Sequence, residues 1–401
     1  MLCYNRSSST VADFRGRPDS CHFCFLQLPA SVPCPPEHRT LRCVWDCTRY
    51  SLELSFLPEE YPFTAEVVQV ARNWISDCQN DHPICSAARL RDSQLPKRVL
   101  DVSGLKDTCQ ISLHVPSHGE TGDYATLSYC WGTSGVPLRT TKANLQEHRD
   151  GISIETLPAT IKNAAFLVWN LGIPYLWVDA LCIIQEGDEG HDWAEQSAEM
   201  TSIYQGGTLN ISAVDGRGCE SGLKPEPFQN IGRRVGTSTR SNHVDVFLVC
   251  RPVSADQQID SNSRPLSVRG WAFQERLVSS ATLHFTNRGM AWECCTTSKM
   301  ERLTTDDPGL GLFDHEMKQD WSTHTQLWLP GQVQGPIAGH KALQGWYNAM
   351  LAYPHKALTF ERDCLPALAG IAATISKRLG FTYLAGLWKE DIAHGLCWRA
   401  S

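Results

Sequence analysis

The sequence has no long uninterrupted apolar run, no basic tract and no signal-like opening, and each absence removes a class of function. Residues 1–20 carry Arg6, Arg15 and Arg17 among serines without an apolar stretch, so no secretory leader is predicted. The most apolar region, 164–184, is broken by Asn170, Pro174 and Asp179. A membrane span needs about 20 consecutive apolar residues, so no membrane association is expected. A net charge of −7, with no Lys/Arg-rich arm, argues against nucleic acid, whose phosphates want a basic face. There is no P-loop and no glycine-rich dinucleotide fingerprint, and Ser128 sits in no G-x-S-x-G elbow. Cys182, among apolar neighbours, reads as a buried thiol rather than a nucleophile. No repeat of solenoid length is present. What remains is a soluble, cytoplasmic globular protein for which no resident cofactor is expected.

What the chain does have is length and cysteine. Its 401 residues allow two or three compact units, and its 17 cysteines, with no export signal, are expected as reduced thiols or metal ligands. Cys21, Cys24, Cys34, Cys43 and Cys47 crowd the first 60 residues, but no regular knuckle completes a four-ligand set. Cys78-x-x-x-His82-x-x-Cys85 offers three ligands, interrupted by Pro83. The favoured reading there is a helix end pinned by buried thiols with a capping histidine, and no metal site is assigned.

Residues 1–60 are Pro- and Cys-rich with little periodicity and read as an irregular leader. Residues 64–78 place Val67, Val68, Val70, Ala71, Trp74 and Ile75 on one helical face. The strongest organisation follows: a β-rich run at 124–131, a helical stripe at 157–171, a nearly continuous apolar run at 175–184 expected as a strand covered on both faces, a helix at about 192–205, and a strand at 208–214. This β-α-β-α-β order predicts an α/β fold with a mostly parallel sheet flanked by helices. Beyond a polar stretch to Arg264, strands are expected near 281–285 and 290–294, a surface excursion over about 300–335, and helices at 343–351 and 366–379. The implied domains are a leader (1–60), a helical lead-in (61–120), an α/β core (121–295), and an excursion with a helical C-terminal extension (296–401).

Several ordered segments resemble one family. Tyr124-x-x-Leu127-Ser128-Tyr129-x-Trp131-Gly132 is similar to the opening motif of fungal heterokaryon incompatibility (HET) domains. Leu157-Pro158-x-Thr160-Ile161 and the run from Tyr175 through Asp179 to Gln185 resemble the central one, and Asp192-Trp193-Ala194-Glu195-Gln196 with Met200-x-x-Ile203-Tyr204 the third. Arg269-Gly270-Trp271-x-x-Gln274-Glu275-Arg276, Asp363-x-Leu365-Pro366-Ala367-x-x-Gly370 and Tyr383-x-Ala385-Gly386-Leu387-Trp388 extend the match, so that it covers roughly residues 70 to 400. Family members usually continue past the Gly-Leu-Trp segment, so the resemblance implies a shortened chain.

That resemblance implies a role in non-self recognition and programmed cell death, with other HET or incompatibility proteins and further copies of itself as partners. HET domains are distantly similar to the Toll/interleukin-1 receptor (TIR) fold, which implies a flavodoxin-like sheet with a pocket at the strand ends. Some TIR domains cleave NAD with a helical glutamate preceded four residues earlier by tryptophan. Trp271-x-x-x-Glu275 has that spacing, which makes Glu275 the candidate catalytic residue, NAD the candidate substrate, and Trp131, Gly132, Asp179, Arg269 and Trp271 the candidate binding residues. A carboxylate beside the ribose can stabilise the oxocarbenium-like centre. Two readings of Glu275 stay open, this one and a structural salt bridge to Arg269 or Arg276. Asp179 either lines the pocket or caps a neighbouring loop, and Trp131, Trp177 and Trp271 either stack on a ligand or pack the core. At the level of function, an enzyme and a non-enzymatic assembly module both fit.

Overall fold

The computed structural model describes residues 65–88, 94–223, 264–286, 289–300, 318, 321–322, 336–353 and 365–397, together with the backbone of a few strands outside them. The candidate zinc cysteines of the leader lie outside the described residues. The chain divides into two compact units, 1–64 with 226–259, and 65–225 with 260–401. In the first, strands Tyr50–Phe56, Gly232–Ser238 and Val244–Pro252 form an antiparallel sheet with Val244–Pro252 in the middle.

The second unit is α/β, built on a nine-stranded mixed sheet flanked by helices. Its elements in chain order are α1 (Ala65–Asp81), α2 (Pro83–Ala88), β1 (Val99–Asp101), β2 (Gln110–His114), β3 (Tyr124–Ser128), β4 (Ile152–Ser153), α3 (Ala159–Leu171), β5 (Tyr175–Trp177), α4 (Asp179–Cys182), α5 (His191–Gly206), β6 (Leu209–Ala213), α6 (Gly270–Val278), β7 (Ala281–Thr286), β8 (Gly289–Cys294), β9 (Ser298–Met300), α7 (Pro336–Ala352) and α8 (Pro366–Leu379). The strand order is β9-β8-β7-β6-β3-β5-β1-β2-β4. The four middle strands, β7, β6, β3 and β5, are mutually parallel, and antiparallel strands extend both edges. Sequence periodicity locates the parallel centre. The antiparallel wings come from short strands whose pairing has no local signature.

Every residue of β3, β6, β7 and β8 is buried, as expected of strands covered on both faces. The stripe on α3 points inward through Ile161, Ala164, Ala165, Leu167 and Val168. Burying one such aliphatic side chain contributes about 1.5–3 kcal/mol. One expectation is corrected. The apolar run 175–184 is not one strand: β5 ends at Trp177, and Asp179–Cys182 is a single helical turn. Continuous apolarity reports burial, not period, and here the Asp179 carboxylate accepts the Ala180 backbone N–H (2.7 Å), which favours the turn. Within the expected surface excursion, Lys318, Trp321 and Ser322 are buried.

From β3 the chain crosses to β5 on one side, and from β6 it crosses to β7 on the other. Adjacent parallel strands β3 and β6 therefore diverge in connection, and such a switch point in an open α/β sheet is where a crevice is expected outside the C-terminal strand ends. Helices α5, α6 and α8 pack together over the sheet. Their meeting point is Gly370, where a Cβ would lie 1.8 Å from Thr201 Oγ1 and 2.8 Å from Gln274 Nε2. Gln274 in turn donates to Thr201 Oγ1 (2.5 Å). Only glycine lets α8 approach this closely, and the contact fixes the two helices that face the crevice.

Candidate active site at the strand ends

The crevice collects its side chains from four consecutive parts of the fold. Strand β3 ends in Ser128 and leads to Tyr129 and Trp131; the turn after β5 brings Asp179; α5 brings Tyr204; and α6 brings Glu275, with Arg269 immediately before its first turn. Trp131 Nε1–H donates to Asp179 Oδ2 at 2.9 Å. Asp179 therefore holds its own turn, since its other oxygen takes the Ala180 N–H. The Tyr129 hydroxyl is buried beside this carboxylate and makes no hydrogen bond of normal geometry.

Glu275 is half-buried, with Ser128 and Tyr204 as neighbours whose hydroxyls donate elsewhere, Ser128 to Asn210 Oδ1 (3.2 Å) and Tyr204 to the Leu127 carbonyl (3.2 Å). Burial pushes its pKa up to about 7, against the pull of Ser128, Arg269 and Tyr204 and with the push of the Asp179 charge. Burial also raises Asp179, opposed by the Trp131 hydrogen bond and by Arg269. Tyr204 is raised well above its ordinary value, first by burial and then by the two carboxylates, so it stays a neutral donor. Glu275 and Asp179 thus lie near each other, and among the described residues Arg269 is the cation that acts on both.

The salt-bridge reading of Glu275 has a definite geometry against it. Arg276 turns to the other side of α6 and forms a two-pronged pair with Glu293, at 2.6 and 2.8 Å. Arg269 Nη1 donates to the Tyr129 carbonyl (2.7 Å) and acts on Glu275 as a nearby positive charge. Trp271 is half-buried one helical turn before Glu275, on the same face. Gly132 lies exposed at the rim with φ +87°, and a Cβ there would meet Gly218 Cα at 3.2 Å. Trp177 belongs to the core instead: it is fully buried, edge-on to Tyr204 at 5.6 Å between ring centroids. Cys182 is likewise interior, its thiol pushed up to about 12 by burial.

Sequence reasoning missed Ser128 and Tyr204 as neighbours that act on Glu275, although both fall within quoted motifs. A polar residue at the end of an otherwise apolar strand was the available signal for Ser128. A further polar device serves the scaffold: buried Asp192 pairs with Arg98 and Lys97 and accepts the Ile184 N–H (2.8 Å), clamping α5 to the edge of β1. That role explains the Asp192-Trp193 motif without any chemistry.

Among known families, the description "Heterokaryon incompatibility protein (HET)" matches residues 124–275, from the first residue of β3 to Glu275 itself. Residues 124–275 form a HET domain. The family match thus begins and ends with the elements that build the recess. It assigns this protein a role related to heterokaryon incompatibility. Neither the curated proteins nor the solved structures contain a match. Among the described residues, no helix of the HET protein is long and apolar enough to cross a membrane.

Proposed function

We propose that the HET domain cleaves the nicotinamide–ribose bond of NAD, and that this activity serves non-self recognition and programmed cell death in a fungal cytoplasm. The observation that carries the reading is Glu275: a carboxyl at the C-terminal end of a parallel sheet, near Asp179 and, among the described residues, without an ion pair of its own. Ligands of open α/β sheets bind at such a switch point.

The chemistry needs little beyond this. As the C1′–N bond breaks, its electron pair goes to the pyridinium nitrogen, so nicotinamide leaves neutral and needs no acid. Positive charge builds on the ribose, where ionised Glu275 would stabilise it and accept a hydrogen bond from a ribose hydroxyl. A water oxygen then bonds C1′ and releases one proton, giving ADP-ribose. A cationic nicotinamide in the recess would itself lower the Glu275 pKa and favour the ionised form. Arg269 would meet the diphosphate, with Trp131 and Trp271 beside the rings and Gly132 at the entrance. Assembly with other HET proteins, or with copies of itself, would complete or stabilise the recess.

The test is NAD consumption and NAD binding by the purified protein at high concentration with a crowding agent, beside Glu275→Ala. Consumption is expected in the wild type and a loss of at least about 100-fold in the variant, the order of magnitude for removing a transition-state stabiliser. If the wild type neither binds nor consumes NAD, the enzymatic reading is wrong and the domain is an assembly module.

A further inference from the structure

At the opposite edge of the sheet from β4, a second constellation has formed from residues far apart in sequence. Cys78, His82, Cys85 and Cys294 bring one sulfur or ring nitrogen each into a cluster whose atoms all lie within 4.8 Å of one another. Three come from the α1–α2 junction, and the fourth ends β8. We propose that these four residues bind one zinc ion, a site independent of the NAD-cleaving reading.

The spacing within the cluster is that of a tetrahedron around a small ion. Zinc–sulfur bonds of about 2.3 Å and zinc–nitrogen bonds of about 2.0–2.1 Å place neighbouring ligand atoms about 3.5–3.8 Å apart. Here His82 Nδ1 is 3.5 Å from Cys294 Sγ and 3.9 Å from Cys85 Sγ. Three thiols and an imidazole are a set that selects zinc among common divalent ions, since magnesium and calcium want oxygen. A disulfide would use two of the sulfurs and leave the third and the imidazole without a purpose.

The surroundings are arranged for thiolates. The backbone N–H of Thr297 donates to Cys294 Sγ (3.4 Å), and the Thr296 hydroxyl lies 3.4 Å from Cys85 Sγ. Such contacts orient a ligand sulfur and stabilise its charge. The hairpin turn that presents them is closed by the Cys294 N–H to the Thr297 carbonyl (2.9 Å). On the helical side, His82 occupies the break between α1 and α2, and Pro83 begins α2 in the position where a missing N–H costs nothing. The break that interrupts the motif in sequence thus turns His82 and Cys85 back toward Cys78. Ser86 secures the bend through its N–H to the His82 carbonyl (3.0 Å) and its hydroxyl to the Gln79 carbonyl (2.9 Å). Lys299 on β9 adds an ion pair to Asp77 on α1 (2.8 Å). A fifth thiol, Cys295, donates to the Ser280 carbonyl (3.5 Å) and is not one of the four.

Zinc here would staple α1 and α2 to the hairpin β8–β9, closing a loop of more than half the chain. The experiment uses the full chain, purified from zinc-supplemented medium without chelator. Metal content is measured by mass spectrometry of the elements, alongside thiol titration and the mass of the intact chain. One zinc per chain is expected, with four-coordinate thiolate absorption after cobalt(II) exchange. Cys294→Ser should lose the ion. His82→Cys should keep it, which separates ligation from folding, and Cys295→Ser and Cys109→Ser should keep it too. A chelator should lower the unfolding temperature of the wild type. Wild-type protein that folds with less than stoichiometric zinc and freely titrating thiols would overturn the proposal. So would a mass lower by two hydrogen atoms with the bond mapped to two of these cysteines, which would mark the cluster as a disulfide.

Discussion

Glu275 and Glu293 make an instructive pair, because α6 stands between them with adjacent residues serving each. On one side Arg276 reaches Glu293, which also receives His284 Nε2 at 3.1 Å and feels the buried Lys318 charge. On the other side Glu275 is near two neutral hydroxyls and one arginine, all three donating elsewhere, and a second carboxylate. Glu293 is fully buried, and its positive neighbours overcome the burial penalty and hold it well below the usual carboxylate range. For Glu275, burial wins and the pKa climbs to about 7. A carboxylate that serves the fold is supplied with cations. One left undersupplied is costly to the fold, which is what makes Glu275 the candidate for the proposed chemistry.

The sharpest way to break the comparison is to neutralise each glutamate. Glu293→Gln should cost about 3–5 kcal/mol, because it strands buried positive groups, and urea unfolding will measure it. A loss under about 1 kcal/mol would mean the network is solvated and the contrast is false. The same network should make the protein acid-sensitive. Glu293 stabilises the fold above its unfolded pKa and loses that contribution as pH falls. His284, held down to about 4 by burial against an ordinary 6.5, adds a loss as pH falls below 6.5.

Glu275→Gln should act in the opposite direction. Glu275 ionises near 4.5 when unfolded and near 7 when folded, so the folded state holds the extra proton in between. Stability therefore falls as pH rises through that window and stays low above it. The variant should be more stable than the wild type at pH 8, by up to about 3 kcal/mol, and equal to it at pH 4. Equal stability at both pH values would show that Glu275 is compensated after all. A smaller effect tests the scaffold shared by both carboxylates: Gly370→Ala should destabilise by about 1–3 kcal/mol, since it forces α8 off Thr201 and Gln274. The smallest belongs to Trp131→Phe, which removes one hydrogen bond to Asp179. It should raise the Asp179 pKa further, at a cost of about 0.5–1.5 kcal/mol, readable by carboxyl NMR titration.

The periodicity of apolar residues made the parallel centre legible, because α3, α5 and the strands β3 and β6 each bury a regular face. The run at 175–184 misled for the complementary reason: Leu176 and Leu181 are equally buried, one in a strand and one in a helical turn. Site residues inside one motif, such as Asp179 and Glu275, were nameable. Relations between motifs were not. Nothing near Arg276 in sequence says that its partner is Glu293 rather than Glu275. Cys294 lies 212 positions from His82, and a three-ligand motif cannot announce a fourth ligand that only strand pairing delivers.

The approach of Gly132 and Gly218 shows how two neighbouring strand ends are spaced. A Cβ on Gly132 would meet Gly218 Cα at 3.2 Å, and one on Gly218 would meet Gly132 Cα at 3.4 Å, so the loops after β3 and β6 come together where neither carries a side chain. A side chain at either position must push the two loops apart, and at Gly132 it would also sit at a φ of +87°, which L residues rarely adopt. The distance between the ends of two parallel strands is thus written in the two residues that contribute nothing but backbone.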